Sequence, residues 1–194
     1  MDATPEIIVT GRALERPAAE QPLSVVRLDR EALQASPVTG LEQVLQLVSG
    51  LQLFRRSDAR SANPTSQGLT LRALGGNAAS RAQLVLDGVP QSDPFGGWVY
   101  WPAYDALSLA EVRVTRGGGS VASGPGALAG AVELTSALDV PFAAGIDVGS
   151  HGSAEGRVLA SGELAGGAVG ISLRGARGDG FAPIEARFRG PADG

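Results

Sequence analysis

The first residues that could do chemistry are glycines grouped ahead of a serine. Gly117-Gly118-Gly119-Ser120, with Gly124-Pro125-Gly126 close behind, has the composition of a phosphate-cradling loop. Such a loop also requires a lysine before Ser or Thr at the start of a helix, and this chain has none; its 16 basic residues are all arginine. The glycines therefore read as permitting tight turns. No serine has the glycine spacing of a nucleophile elbow. There is one histidine, His151, in a predicted turn, and there are no cysteines. Structural zinc, iron–sulfur clusters, thiol catalysis and histidine triads lose most of their raw material. No two carboxylates converge on a hydrolytic motif. The expectation is a protein that is not an enzyme, with no cofactor and no metal.

Two other groups could bind rather than react. Five of the nine aromatic residues fall within ten positions: Phe95, Trp98, Tyr100, Trp101 and Tyr104. They form either a satellite hydrophobic cluster under a loop or an exposed aromatic surface for a ligand or partner. Arg72, Arg113 and Arg116 lie at or just after strand-like segments. Each is either on a solvated face or buried against a carboxylate, for which Glu111, Glu133 or an acid on another domain are the candidates.

The elements that must position these residues are mixed. Residues 1–22 are polar, broken by Pro5, Pro17 and Pro22, with one apolar island, Ile7-Ile8-Val9; they read as an exposed arm. A strand is expected over Ser24–Leu28, then a short helix over Arg30–Ala35 capped by Asp29 and closed by Pro37. Leu41, Val44, Leu45 and Val48 have helical spacing, ended by Ser49-Gly50. From Leu69 the period is two. Gln83–Leu86 runs into the turn Asp87-Gly88, and further strands are expected at Val112–Val114 and Ala131–Thr135. These make an α+β domain over roughly 23–137. After Pro141 three strands of roughly 5–9 residues alternate apolar with small or polar residues. Taken alone, that alternation suits a soluble meander; it is also the pattern of a membrane barrel, apolar toward lipid.

Composition bounds the whole. Of 194 residues, 28 are glycine and 12 proline, well above average usage, which argues against a helical bundle. With 43% hydrophobic and 19% charged residues the chain is not disordered as a whole. A net charge of -4 with no basic block gives no footprint for nucleic acid. No apolar run approaches the roughly 18–20 residues of a membrane-crossing helix. Met1-Asp2-Ala3-Thr4-Pro5 lacks the basic and apolar regions of a signal peptide.

Several pieces in order resemble the plug domain of TonB-dependent outer-membrane receptors. Glu6-Ile7-Ile8-Val9-Thr10 is similar to a TonB box. Leu41–Gly50 with Leu51-Gln52-Leu53 resembles the family's helix, turn and strand, and Leu69-Thr70-Leu71-Arg72 its arginine-bearing strand. Leu84–Pro90, Val112–Gly117 and the glycine-rich Ser120–Thr135 follow in the family's order. Departures are Arg72-Ala73-Leu74-Gly75-Gly76 for Arg-Gly, Ser49-Gly50 for Pro-Gly, Gly118 for the proline after Arg-Gly, and a reversed charge order at Glu111 and Arg113.

The resemblance implies a mixed-sheet plug with short helices, followed by antiparallel strands that begin a transmembrane β-barrel of about 22 strands. It implies a flexible arm over 1–22, a plug over 23–137 and first barrel strands over 138–194. It implies active uptake of a small-molecule ligand (siderophore, cobalamin, haem or oligosaccharide class) across the outer membrane. The partners would be TonB and that ligand, with no nucleic acid. TonB would bind Glu6–Thr10 by adding a strand. Asn77, Arg81, Asp93, Phe95, Trp98 and Trp101 would face ligand, while Arg72, Asp87, Gly88, Arg116, Gly117 and Gly130 would be architectural. The 53 residues from Phe142 to Gly194 suffice for about 3–4 spans, so the chain reads as a truncated receptor whose last strands are expected to be disordered or badly packed. A soluble periplasmic binding or adaptor module is the alternative.

Overall fold

The structure is a computed structural model that describes residues 24–38, 40–54, 67–72, 78–117, 126–179 and 187. Its first strand, β1 (Ser24–Asp29), ends in a residue with two duties: Asp29 closes the strand and its carboxylate accepts the Ala32 amide at 2.8 Å, starting α1 (Arg30–Gln34). That cap is the one the sequence predicts. The next helix, α2 (Leu41–Gln46), buries Leu41, Val44 and Leu45 and stops earlier than the spacing predicts. Val48 is still buried, but from the turn that follows rather than from the helix.

Two short strands, β2 (Gln52–Leu53) and β3 (Leu69–Thr70), pair with each other. Then come β4 (Gln83–Leu86), β5 (Val89–Pro90), β6 (Leu109–Arg116) and β7 (Gly130–Ser136). With β1 they form a five-stranded sheet in the order β1-β6-β7-β4-β5, mixed because β4 runs parallel to β7 while the other pairs are antiparallel. Alternation sorts its two faces. Leu84, Val112, Val114, Val132 and Leu134 point into a core shared with α2 and Leu69. Arg27, Glu111, Arg113 and Glu133 share the opposite face. There Arg113 meets its cross-strand partner Glu133 at 3.3 Å and Arg27 meets Glu111 at 3.8 Å. The reversed charges of β6 are thus paired within the sheet, on the carboxylates the sequence offers locally.

Three strands follow: β8 (Phe142–Val148), β9 (Ala154–Leu164) and β10 (Gly167–Arg177), an antiparallel sheet in the order β10-β9-β8. The latter two have 11 residues each, longer than the alternation suggests. The inward side of β8 and β9 meets the rest of the chain, whereas β10 is exposed along almost its whole length. Leu159 sits with Leu107 and Ala137 in a second small core, and the Ser161 hydroxyl donates to the Leu138 carbonyl at 3.1 Å. No helix among the described residues is long and apolar enough to cross a membrane, which says nothing of crossing by strands.

Candidate functional site

Aspartates build the two turns that frame the mixed sheet's far edge. Asp87 and Gly88 both have left-handed backbone (φ 48° and 85°), the geometry of a tight hairpin turn between β4 and β5. The Asp87 carboxylate then reaches across to β7, accepting the Ser136 amide at 2.9 Å and the Ser136 hydroxyl at 2.6 Å. Beyond β5, Asp93 shapes a second turn: its carboxylate accepts the Phe95 amide at 3.0 Å and the Gly96 amide at 2.5 Å, and its own amide donates to the Trp98 carbonyl at 2.8 Å. Phe95 stands at the tip, 98% exposed. Trp98 is half-buried, its ring lying over Gly96, where any Cβ would come within 2.6 Å of Trp98 Cδ1. The Ser80 amide donates to the Gly97 carbonyl at 2.6 Å, so the segment carrying exposed Arg81 runs beside this turn.

Of the residues expected to face ligand, the structure therefore brings Arg81, Asp93, Phe95 and Trp98 into one neighbourhood. Trp101 is a correction. It opens a short 3-10 turn, η1 (Trp101–Ala103), is fully buried, donates its indole N–H to the Gln67 carbonyl at 3.2 Å, and meets Tyr104 edge-on at 6.4 Å. An indole so enclosed is core. Pro102 and a carbonyl 34 positions away decide this, and neither is visible as a spacing. The aromatic group divides: Phe95 and Tyr100 are exposed, while Trp101 and Tyr104 belong to the main core rather than to a satellite cluster. Burial also pushes the Tyr104 phenol up from its ordinary range. Asn77 and Glu6–Thr10 lie outside the described residues.

The expected architectural residues lie at strand ends. Arg72 follows β3, exposed, with left-handed backbone (φ 61°). Arg116 closes β6 and donates to the Ser24 hydroxyl at 3.2 Å, tying β1 to its neighbour. The Gly117 amide donates to the Ala129 carbonyl at 3.1 Å, and Gly130 begins β7 opposite Arg116 with φ 137°.

The last sheet inverts the polarity of a water-soluble one. Its outward face carries Phe142, Ile146, Val148, Val158, Leu164, Val169, Ile171 and Leu173, each 40–84% exposed. Its inward face carries Asp147, Glu155, Arg157, Ser161 and Arg174, and it is this polar face that packs on the rest of the chain. Moving eight side chains of that size out of water is worth on the order of 10 kcal/mol. A small mixed sheet seated against the polar face of an antiparallel sheet whose other face is apolar is the arrangement the fold presents.

The TonB-dependent Receptor Plug Domain family matches residues 17–131, and the chain belongs to that family. Solved structures share the fold at low identity. The ferric yersiniabactin uptake receptor FyuA from Yersinia pestis is 19% identical with a TM-score of 0.61, covering 82% of this chain and 25% of its own. The alcaligin outer membrane receptor FauA from Bordetella pertussis is 21% identical at 0.60, covering 84% and 27%. The ferric citrate transporter FecA in its unliganded form is 19% identical at 0.58, covering 80% and 25%. The chain thus spans about a quarter of the length of these proteins.

Proposed function

We propose that this chain is the plug and first wall strands of an outer-membrane receptor that imports a scarce small molecule under the pull of TonB. Residues 1–22 are the periplasmic arm, 23–137 the plug and 138–194 the start of the wall. The observation that carries the reading is the inverted last sheet, apolar outward and polar toward the plug. A soluble adaptor would hold that apolar face in water at a cost of on the order of 10 kcal/mol. Arg81, Asp93, Phe95 and Trp98, with Asn77, are the ligand-side residues; an exposed ring on a carboxylate-braced turn suits a ligand that is part apolar and part charged. The ligand is of the siderophore, cobalamin, haem or oligosaccharide class.

Strand order supports the coupling. β1, which continues from the arm, forms one edge of the sheet, and β5, which leads to the aromatic turn, forms the other. Four strand spacings, about 19 Å, separate them. Displacement at one edge must pass through the hydrogen-bonded ladder to reach the other. Glu6–Thr10 would join TonB as an added strand, so Ile8→Pro removes a backbone donor and blocks pairing. In the full receptor, binding to the periplasmic domain of TonB is expected to fall at least tenfold. Unchanged affinity refutes the docking role.

A further inference from the structure

The structure places an unannounced charge cluster where plug and wall meet. A second 3-10 turn, η2 (Ala106–Ser108), leads into β6, and Asp105 caps it by accepting the Leu107 amide at 2.9 Å. The same Asp105 oxygen lies 3.4 Å from Nη1 of Arg157, which comes from β9, 52 positions further on. Arg157 Nη2 donates to Asp147 on β8 at 2.5 Å, and its Nε lies 3.7 Å from Glu155. Glu155 is held in turn by Arg174 of β10, through Nε at 2.7 Å and Nη2 at 3.2 Å. One guanidinium thus serves a carboxylate on the plug and two on the wall. Its side chain is only 13% exposed and that of Asp105 11%. The two terminal nitrogens of a planar fork reach Asp105 and Asp147 at once, while Nε makes no hydrogen bond and lies only within ion-pair distance of Glu155.

We propose that Arg157 is the latch that fixes the η2 corner of the plug to the wall, so that the plug yields first at β1 and last at η2. This extends the reading of the chain as a pulled plug. Two observations give it direction. Beyond their six-residue backbone ladder, β1 meets β6 through the exposed Arg27–Glu111 pair at 3.8 Å and through Arg116 on Ser24, both bordering solvent. An exposed pair of this kind contributes little. At η2 the ion pair is desolvated and backed by the small core of Leu107, Ala137 and Leu159. Removing Arg157 there leaves the buried Asp105 carboxylate without its cation, which is the costly case, whereas removing the Asp105 charge frees the plug side while Arg157 keeps Asp147.

Amide hydrogen exchange on the full chain in detergent micelles tests the latch without TonB or ligand, so its outcome is separate from that of the transport reading. The reporters are the Leu107 amide, bonded to Asp105, and the Ala137 amide, bonded to the Ser108 carbonyl at 2.9 Å. Asp105→Asn keeps a carbonyl oxygen for the Leu107 cap while discarding the charge, so it isolates the ion pair from the turn. Arg157→Gln and Asp105→Asn are each expected to speed exchange at both reporters at least tenfold. The double variant should match the singles rather than multiply them, because both break one interaction. Asp147→Asn, which alters only the wall side, should leave both reporters within about twofold. In the unaltered chain, β1 amides should exchange faster than those of η2. Arg157→Lys, which preserves charge and lets the chain fold if Gln does not, should fall between. Unchanged exchange in Arg157→Gln, multiplying effects in the double variant, or slower exchange in β1 than in η2 overturns the proposal.

Discussion

Gly130 offers the sharpest test of how the mixed sheet closes. It starts β7 opposite Arg116, with φ 137°, a backbone that side chains rarely adopt. A Cβ built there falls on the Thr115 carbonyl oxygen and 2.8 Å from Cδ1 of Leu71, which is fully buried. Neither neighbour can give way easily, since one is backbone within the β6–β7 ladder and the other is packed core. Gly130→Ala must therefore hold a strained φ, at about 1–3 kcal/mol, or peel the start of β7 from β6, losing about 1 kcal/mol per ladder bond and uncovering Leu71. Either route puts the loss near the upper end of that range, about 2–3 kcal/mol, a large share of a domain's usual 5–15. Gly88→Ala is the control. Gly88 also has positive φ (85°), but nothing lies within 4 Å of its Cβ position, so only the backbone term of about 1–2 kcal/mol remains. Urea unfolding followed through the fluorescence of buried Trp101 reads both. If Gly130→Ala costs no more than Gly88→Ala, the close approach at Thr115 is not what demands glycine.

Asp87→Ala removes two charge-assisted hydrogen bonds to Ser136 and places alanine at φ 48°; the expected cost is about 2 kcal/mol, and less for Asn, which tolerates that backbone and keeps an acceptor. Thermal unfolding of the two variants side by side checks the order. Burial raises the Tyr104 phenol above its ordinary 10.0, so the folded chain holds that proton longer than the unfolded one. Its contribution is complete below pH 10 and is lost as pH climbs beyond it; Tyr104→Phe should flatten that alkaline decline, and an unchanged decline in denaturant titrations refutes the assignment.

Much of the scaffold is legible locally because its causes are local. The Asp29 cap, the Asp87-Gly88 turn and the period of two in β6 and β8 each depend on residues within a few positions, and each is found where the residues place it. Helix length is less legible. The stripe Leu41–Val48 keeps helical spacing past the real end at Gln46, since a turn can bury Val48 as well as a helix can. The site divides the same way. Asp93 and Phe95 declare themselves through turn chemistry, whereas the burial of Trp101 is a matter of core packing and of a carbonyl 34 positions away, which no local spacing reveals. Arg157 reads only as one polar residue in an alternating strand. The available signal was that Asp147, Glu155, Arg157 and Arg174 share the wall's polar face, where desolvated charges must find partners.

Sequence alone determines which residues alternate, which aspartates cap and turn, and that the family's ordered pieces are present, because periodicity and capping act over single turns of chain. Only the tertiary structure decides which apolar face is left bare and which aromatic is core. It alone places Asp105 and Arg157 together, for contact across 52 positions is settled by how sheets pack and not by any spacing along the chain.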